Sequence, residues 1–354
     1  MAEKMFYGTL ADGREVSLFR LKSAGGAEVD VLDYGAVIRA LRVPSRSGEL
    51  VDVAMGYDTF DDQMTKRGFN GGVMGRAINR IGDGKLWIYG KLHKLPLPEW
   101  GGKKAPFVIH GGAGCYAMKL FHGKITSDSV SDSVTLYHRD MGEGGFPGEV
   151  DVWITYTLTT YNELQIRYRC LPNEDTILNI ASHVYLNLEG HGSGTIHRHT
   201  AKFDSNFYTP VAPNGLPTGE ILKVDGTPFD FREPKTLGEG IATGHEQIAL
   251  QNGYDHNLCL AGGGYRECGW VSAENTGIRL TLSTDMPGVH LYCSGNERPV
   301  EGAKEGKNYG SFGALCLETQ YYPNATANSH FPQPVFPANT VFESQTSFKF
   351  SIEK

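Results

Sequence analysis

Strictly alternating apolar and polar residues recur along this chain and constrain its fold more than any other feature. Residues 150–158 alternate without a break, and after Tyr161-Asn162 the segment 163–169 alternates again. Two such runs joined by a short turn are typical of an antiparallel β-hairpin. Strand patterns of the same kind lie at residues 28–32, 84–90 and 340–350. The sequence therefore predicts a chain built from many strands.

Helical periodicity is nearly absent, and residues 234–250 are expected to hold only a short helical turn or two. The chain has 45 glycines among 354 residues, about twice the usual share of roughly 7%. Glycine without a collagen-like period indicates many tight turns. We predict an all-β fold, a sandwich or a barrel. Because no linker or composition change interrupts the pattern, we expect one domain over residues 1–354.

Charge and cysteine usage exclude several classes of function. The formal net charge is −7, whereas a nucleic-acid surface needs a basic patch. The six cysteines are widely spaced and form no Cys-x-x-Cys pair, which favours free thiols in a reducing compartment. No basic-then-apolar signal pattern and no apolar run of membrane-spanning length occurs. We predict a cytoplasmic protein with no nucleic-acid and no membrane partner.

Two ionisable residues stand in runs that otherwise look like apolar strands, Glu318 in residues 313–320 and His183 in residues 180–188. Such groups are rarely buried without a partner, because desolvating a charge is costly or shifts its pKa. Glu318 is either a structural carboxylate or a general base whose basicity a poorly solvated cleft raises. His183 alone is more often a core histidine. Tyr185 and Asn187 follow it at period-two spacing, which would put all three on one strand face and favours a polar pocket wall.

Other polar residues at turns are weaker candidates. Arg80 offers donors in a rigid fork that suits sugar hydroxyls or a carboxylate, but plain surface exposure explains both Arg80 and Arg76 as well. His110 ends a strand at a glycine turn, where a side chain can project into a cleft. Asp255 lies in a similar polar cluster, although an Asp in a turn more often caps a backbone amide.

A metal site is not expected. His191, His197 and His199 match no standard ligand spacing, and no acidic ligand stands beside them at a useful separation. The chain contains neither a His-Glu-x-x-His pattern nor a Gly-x-Ser-x-Gly elbow nor a phosphate-binding loop. We therefore expect no metal and no cofactor.

A series of ordered segments resembles the aldose 1-epimerase (galactose mutarotase) family over almost the whole chain. The segments are residues 32–36, 53–57, 75–81, 109–112, 144–149, 182–188, 253–257 and 317–320, with Phe331-Pro332 behind the last. The resemblance implies a large antiparallel β-sandwich, the galactose mutarotase-like supersandwich, with a sugar cleft across one sheet.

The resemblance also implies roles for individual residues. The residue matching His183 is the general acid in that family, and the residue matching Glu318 is the general base. Residues implied to line the sugar site are Asn79, Arg80, His110, Tyr185 and Asp255. His290 stands where the family usually has a glutamine, which makes His290 a further candidate for substrate binding. Ser182 replaces the usual Asn before the acid, and residues 115–118 replace the usual Phe-Asp-Lys.

These roles predict interconversion of the α and β anomers of a free aldohexose such as galactose or glucose. Glu318 removes the proton from the anomeric hydroxyl while His183 protonates the ring oxygen. We expect the two groups to face each other about a sugar ring's width apart, with the carboxylate raising the pKa of the histidine.

Three alternatives stay open at the level of sequence. The first is a non-enzymatic carbohydrate-binding protein on the same sandwich. The second is a hexose-6-phosphate 1-epimerase, which should need several basic side chains around the cleft. The third is a glycosidase that uses Glu318 and Asp255 as a carboxylate pair.

Overall fold

A computed structural model describes residues 2–66, 68, 71–128 and 130–353 of the chain. Met1 and Lys354, the ends of the predicted domain, lie outside these residues. The described chain is dominated by antiparallel strands with few and short helices, which confirms the all-β prediction.

The N-terminal strands form a five-stranded sheet in which each strand pairs with the next along the chain. These strands are β1 Glu3–Thr9, β2 Glu15–Lys22, β3 Glu28–Leu32, β4 Ile38–Pro44 and β5 Leu50–Asp52.

Short strands, joined by turns, follow in the sequence. They are β6 Val73–Met74, β7 Arg80–Gly82, β8 Lys85–Ile88, β9 Lys91–Lys94, β10 Glu99–Trp100, β11 Lys103–Lys104 and β12 Phe107–Ile109. Strand β7 pairs with β12, β8 with β9, and β10 with β11.

The remaining strands are β13 His122–Ile125, β14 Ser131–Asp140, β15 Val150–Thr159, β16 Glu163–Pro172, β17 Thr176–Ile177, β18 Ala181–Ser182, β19 Thr200–Phe203, β20 Ser205–Thr209, β21 Leu222–Lys223, β22 Lys235–Thr236, β23 Asp255–Leu260, β24 Arg266–Ser272, β25 Ile278–Thr284, β26 Gly288–Tyr292, β27 Cys316–Gln320, β28 Val335–Phe336 and β29 Phe342–Ile352. Among the described residues the largest sheet has nine strands in the order β13-β14-β15-β16-β29-β25-β24-β19-β22. A second five-stranded sheet has the order β21-β20-β23-β26-β27.

Strand β15 shows how the alternation in the sequence produces the core. Its residues are alternately buried and half-buried along the whole strand, and Val152, Ile154 and Leu158 are fully buried. Full burial of such a side chain contributes about 1.5–3 kcal/mol. Strand β16 follows a three-residue turn and pairs with β15 in register, which confirms the predicted hairpin.

Helices in the described part of the chain are short: α1 Phe60–Thr65, α2 Leu237–Ile241 and α3 Glu246–Leu250, with 3₁₀ turns at Gly112–Gly114, Tyr116–Met118, Lys304–Gly306 and Ala325–Ala327. Helices α2 and α3 confirm the turns expected in residues 234–250. The side chain of Thr236 caps α2 and Glu239 returns a hydrogen bond to the cap, which satisfies amide groups at the helix start. None of these helices is long and apolar enough to cross a membrane.

The segment 180–188 departs from the predicted strand. Only Ala181–Ser182 joins a ladder, against β6, and the chain then leaves regular structure until an isolated bridge joins Leu186 to Leu315. Asn187 therefore does not share a pocket face with His183 and Tyr185. Its buried side chain donates to the carbonyls of Gly194 and Gly313, so it holds loops together.

Arg76 is a buried structural residue, which corrects the expectation of surface exposure. Its guanidinium donates to the Asp140 carboxylate at 2.8 Å, to the carbonyls of Pro147 and Gly148, and to the Thr176 hydroxyl. Each of these hydrogen bonds replaces one that the guanidinium would make with water, because a buried charge must be paired and hydrogen-bonded. These contacts fix the turn that leads into Asn79 and Arg80.

Candidate active site

A cavity of about 300 Å³ opens beside the second five-stranded sheet. Polar side chains dominate its wall. The lining residues are Met74, Asn79, Arg80, Ile109, His110, His183, Tyr185, Asp255, Tyr292, Asn296, Glu297 and Glu318. The structure thus brings together seven of the eight residues that the sequence nominated, from five separate parts of the chain.

Glu318 and His183 meet at the bottom of this cleft. Glu318 lies in the middle of β27, and His183 directly follows β18. Paired backbone hydrogen bonds between Leu186 and Leu315 hold the two segments side by side. His183 Nε2 is 3.4 Å from Glu318 Oε1, and the two side chains are only 6% and 2% exposed. The two groups are thus nearer to each other than the width of a sugar ring, the separation predicted from the sequence.

Burial controls the chemistry of Glu318. Removal of the carboxylate from water raises the pKa of Glu318 from 4.5 to about 7, with Asp255 adding to the rise and His290 and Arg80 opposing it. Glu318 Oε2 has no hydrogen-bond partner among the described residues. A carboxylate with this pKa is a stronger base than an exposed one and stays poised near neutral pH.

Burial also lowers the pKa of His183, which corrects the expectation that a nearby carboxylate would raise it. Desolvation of the imidazolium is the largest effect, and the charges of Glu297 and Asp255 offset only part of it. Burial therefore shifts both members of the pair towards their uncharged forms.

Asp255 and Arg80 form an ion pair on the wall of the cleft. Arg80 Nη2 donates to Asp255 Oδ2 at 2.9 Å, and His290 Nε2 is 2.6 Å from Asp255 Oδ1. Burial alone would raise the pKa of Asp255, but Arg80 and His290 lower it far below its ordinary value. The guanidinium also lies 5.4 Å from the centre of the Phe107 ring. These contacts fix the orientation of the arginine fork.

His290 lies behind this pair rather than on the cavity wall. It is 2% exposed, and its backbone partner across the β-ladder is Glu318. The structure gives it a position from which it orients Asp255, while its direct contact with a sugar stays a prediction.

Asn79 and His110 come from two turns that end the paired strands β7 and β12. Both residues have a left-handed backbone, with φ of 64° and 54°. Residues other than glycine seldom adopt this conformation, and those that do cluster at functional sites. The backbone N–H of Asn79 donates to His110 Nδ1 at 3.2 Å, so the neutral ring carries its proton on Nε2. Burial, with the charge of His183, lowers the pKa of His110 well below its ordinary value.

Glu297, Tyr292, Asn296 and Met74 also line the cleft, and sequence reasoning missed them. Glu297 Oε1 accepts hydrogen bonds from Tyr185 at 2.8 Å and Tyr292 at 3.4 Å. The signal available was a polar turn directly after the strand that ends at Tyr292, although charged residues in turns are common.

The three histidines considered for a metal serve separate purposes. His191 Nδ1 contacts the Tyr309 hydroxyl at 3.0 Å, the His199 ring accepts from the Leu188 amide, and His197 packs on Phe312. Within the described residues no group of three or more His, Cys, Asp or Glu side chains is arranged to hold a metal ion.

The fold and cleft define a class of protein: a large antiparallel β-sandwich that holds a buried acid and base beside a hydrogen-bonding wall. Comparison with known proteins agrees. A family model described as aldose 1-epimerase matches residues 17–349. The galactose mutarotases of Bos taurus and Homo sapiens are each 35% identical, over 95% and 96% of this chain and 94% and 95% of their own lengths.

More distant relatives show the same pattern. The aldose 1-epimerase of Haemophilus influenzae is 30% identical over 96% of this chain and 97% of its own length. The crystal structure of galactose 1-epimerase from Lactobacillus acidophilus NCFM superposes with a TM-score of 0.86 at 25% identity, covering 100% of this chain and 99% of that one. This chain belongs to the aldose 1-epimerase family, as the resemblance in the sequence indicated.

Proposed function

We propose that this protein is an aldose 1-epimerase, an isomerase that interconverts the α and β anomers of free aldohexoses such as galactose and glucose. The observation that carries the proposal is the pair formed by His183 Nε2 and Glu318 Oε1, 3.4 Å apart in a polar cleft. Full-length similarity to proteins named galactose mutarotase and aldose 1-epimerase supports it.

The reaction needs two proton transfers at one carbon. Glu318 takes the proton of the O1 hydroxyl while His183 gives a proton to the ring oxygen O5, and the C1–O5 bond breaks to leave an open-chain aldehyde. Rotation about C1–C2 presents the other face of the carbonyl. Reclosure then returns the proton from O5 to His183 and the proton from Glu318 to O1.

The short separation of the pair suits this chemistry. O1 and O5 are both bonded to C1. The two atoms that lose and gain a proton are therefore closer together than the width of the ring. A positioned acid or base contributes about 10² to 10⁴ in rate, or roughly 3 to 5 kcal/mol of barrier. Two such groups suffice for a reaction that already proceeds in water.

The sugar-binding roles follow from donors and acceptors that face the cleft. We assign hydrogen bonding to the sugar hydroxyls to Asn79, Arg80, His110, Tyr185 and Asp255, with His290 supporting Asp255. Because Asp255 uses one oxygen on Arg80 and the other on His290, it is poorly placed to serve as the second carboxylate of a glycosidase.

Polarimetry of freshly dissolved α-D-galactose and α-D-glucose tests the proposal. A catalytic amount of protein should speed the approach to the equilibrium rotation. Rotation that drifts at the uncatalysed rate would leave a binding protein as the explanation. Preference for glucose 6-phosphate over glucose, or release of a chromogenic aglycone, would overturn the proposal in favour of the other two alternatives.

We also propose a cytoplasmic location, with no nucleic-acid or membrane partner. All six cysteines are free and buried, which suits a reducing compartment. Equal activity of protein purified with and without a reductant, with six titratable thiols after unfolding in both samples, would agree with this proposal.

A further inference from the structure

Glu297 places a third acidic group in the cleft, away from the reacting pair. The ring of Tyr185 packs on the ring of His183 with centres 4.9 Å apart, and the Tyr185 hydroxyl reaches Glu297 on its far side. Glu297 is therefore separated from His183 by a tyrosine ring. If C1 of a sugar lies at Glu318 and His183, with O5 towards His183, we place Glu297 nearest to the C5–C6 side of the ring, the end that carries O4 and O6.

The two tyrosine hydrogen bonds to Glu297 go to the same carboxylate oxygen. Both hydroxyls donate to Oε1, whereas among the described residues Oε2 receives no hydrogen bond and lies beside the Gly68 backbone at the cavity wall. An ionised carboxylate can only accept hydrogen bonds. Oε2 can therefore accept a hydrogen bond from a sugar hydroxyl, but it can make none with a ligand carboxylate or phosphate.

The charges along the wall make the cleft unfavourable for anions. Among the described residues that line it, Arg80 supplies the positive charge and Asp255 neutralises it directly. The Glu318–His183 pair with one shared proton is neutral overall. Glu297 then adds a negative charge that no cation on this wall balances, in a cleft where poor solvation strengthens electrostatic repulsion.

We propose that Glu297 determines substrate specificity: it accepts a hydrogen bond from a hydroxyl at the O4/O6 end of a neutral aldohexose and excludes sugars that are anionic at that end, such as uronic acids. This inference rests on the proposed function, since it concerns the same cleft. Specificity of this kind comes from repulsion of the wrong ligand as well as attraction of the right one.

Two variants separate the charge of Glu297 from its hydrogen bond, and a third serves as the control. Glu297→Gln removes the charge and keeps an acceptor. Glu297→Asp keeps the charge but shortens the side chain away from its tyrosine partners. Glu301→Gln is the matched control, because Glu301 is an exposed carboxylate on the same loop.

The measurement is kcat/KM for mutarotation of glucose and of glucuronic acid, with the melting temperature of each variant as a check on folding. In Glu297→Gln the ratio of glucuronic acid to glucose should rise about tenfold or more, while Glu301→Gln keeps the wild-type ratio. In Glu297→Asp the KM for glucose should rise about fivefold with kcat retained, and glucuronic acid should stay excluded.

The failure of this inference differs from the failure of the proposed function. A wild-type protein that does not accelerate glucose mutarotation contradicts the proposed function itself. Active wild type and Glu297→Gln with the same ratio of the two substrates, or an equal rise in Glu301→Gln, would overturn the specificity role alone.

Discussion

Glu318 is 1% exposed, and burial raises the pKa of its carboxyl group from 4.5 to about 7. The same burial that makes Glu318 a useful base makes its ionised form unfavourable in the folded protein. Function and stability therefore oppose each other at this residue, as is common at active sites.

The substitution Glu318→Gln should stabilise the protein in a pH-dependent way. In wild type the unfolded chain releases this proton near pH 4.5 and the folded chain near pH 7, so stability falls as pH rises through that window. Gln carries no ionisable proton, so the variant should gain up to about 3 kcal/mol at mildly alkaline pH and nothing below the window. Chemical unfolding of both proteins at several pH values measures this. An equal difference at all pH values would show that ionisation is not responsible.

The rate of mutarotation should follow a bell-shaped pH profile. The pair that opens the ring holds one proton, on His183, and exchanges with the form that holds the proton on Glu318. Burial lowers the pKa of His183 and raises that of Glu318, so this singly protonated state lies between the lowered His183 value and about pH 7. Activity, corrected for the spontaneous reaction, should fall on both sides of that window. A profile that rises steadily through neutral pH would argue against the pair.

The sequence revealed Glu318 and His183 because a charged residue in an apolar run is unexpected. It could not reveal the direction of the pKa shift of His183, because a sequence shows which neighbours exist but not how much water they exclude. Glu297 could not be predicted for the opposite reason. A carboxylate in a polar turn is common, and only the fold shows that this one accepts hydrogen bonds from two tyrosines.

Turns, rather than regular strands, carry much of the cleft. His110 follows β12, Asn79 precedes β7, and His183 follows the two-residue strand β18. The apolar run around His183 predicted a full strand, but after Ser182 the chain replaces regular ladder bonds with isolated backbone hydrogen bonds to Gly72 and Leu315, which are distant in sequence. Periodicity indicates where a strand can form and not where tertiary contacts end it.

Arg76 anchors the connection between β6 and β7, so its removal should be strongly destabilising. Arg76→Ala leaves the Asp140 carboxylate buried without its cation, which typically costs about 3–5 kcal/mol. Denaturant unfolding measures the loss. Arg14→Ala is the control, because the Arg14–Asp12 pair is exposed and its removal should leave stability unchanged. Equal effects of the two substitutions would contradict the structural role of Arg76.

The sequence predicts the all-β class of the whole fold but not the order in which its strands pair. Alternation marks which face of a strand is buried, and turn residues mark hairpins such as β15–β16. Neither shows that β29 pairs between β16 and β25 in the large sheet, because that pairing joins residues far apart in sequence. The resemblance to a family supplied the sandwich, and the comparisons confirmed it.

We propose that the chain folds as one domain. Its largest apolar cluster includes Phe19 and Val29 from the first sheet together with Phe348 and Phe350 from the last strand. A shared core of this kind couples the sheets. Differential scanning calorimetry should show one transition, whereas two separable transitions would indicate two domains.

The most direct test compares the turnover of α-D-galactose by wild type, Glu318→Gln and His183→Asn, with Glu301→Gln as the matched control. Each active-site variant should lose about a hundredfold or more in kcat while keeping a native circular dichroism spectrum, and the control should match wild type. Near-normal turnover by a folded Glu318→Gln or His183→Asn protein would contradict the assignment of these two side chains to the chemistry at C1.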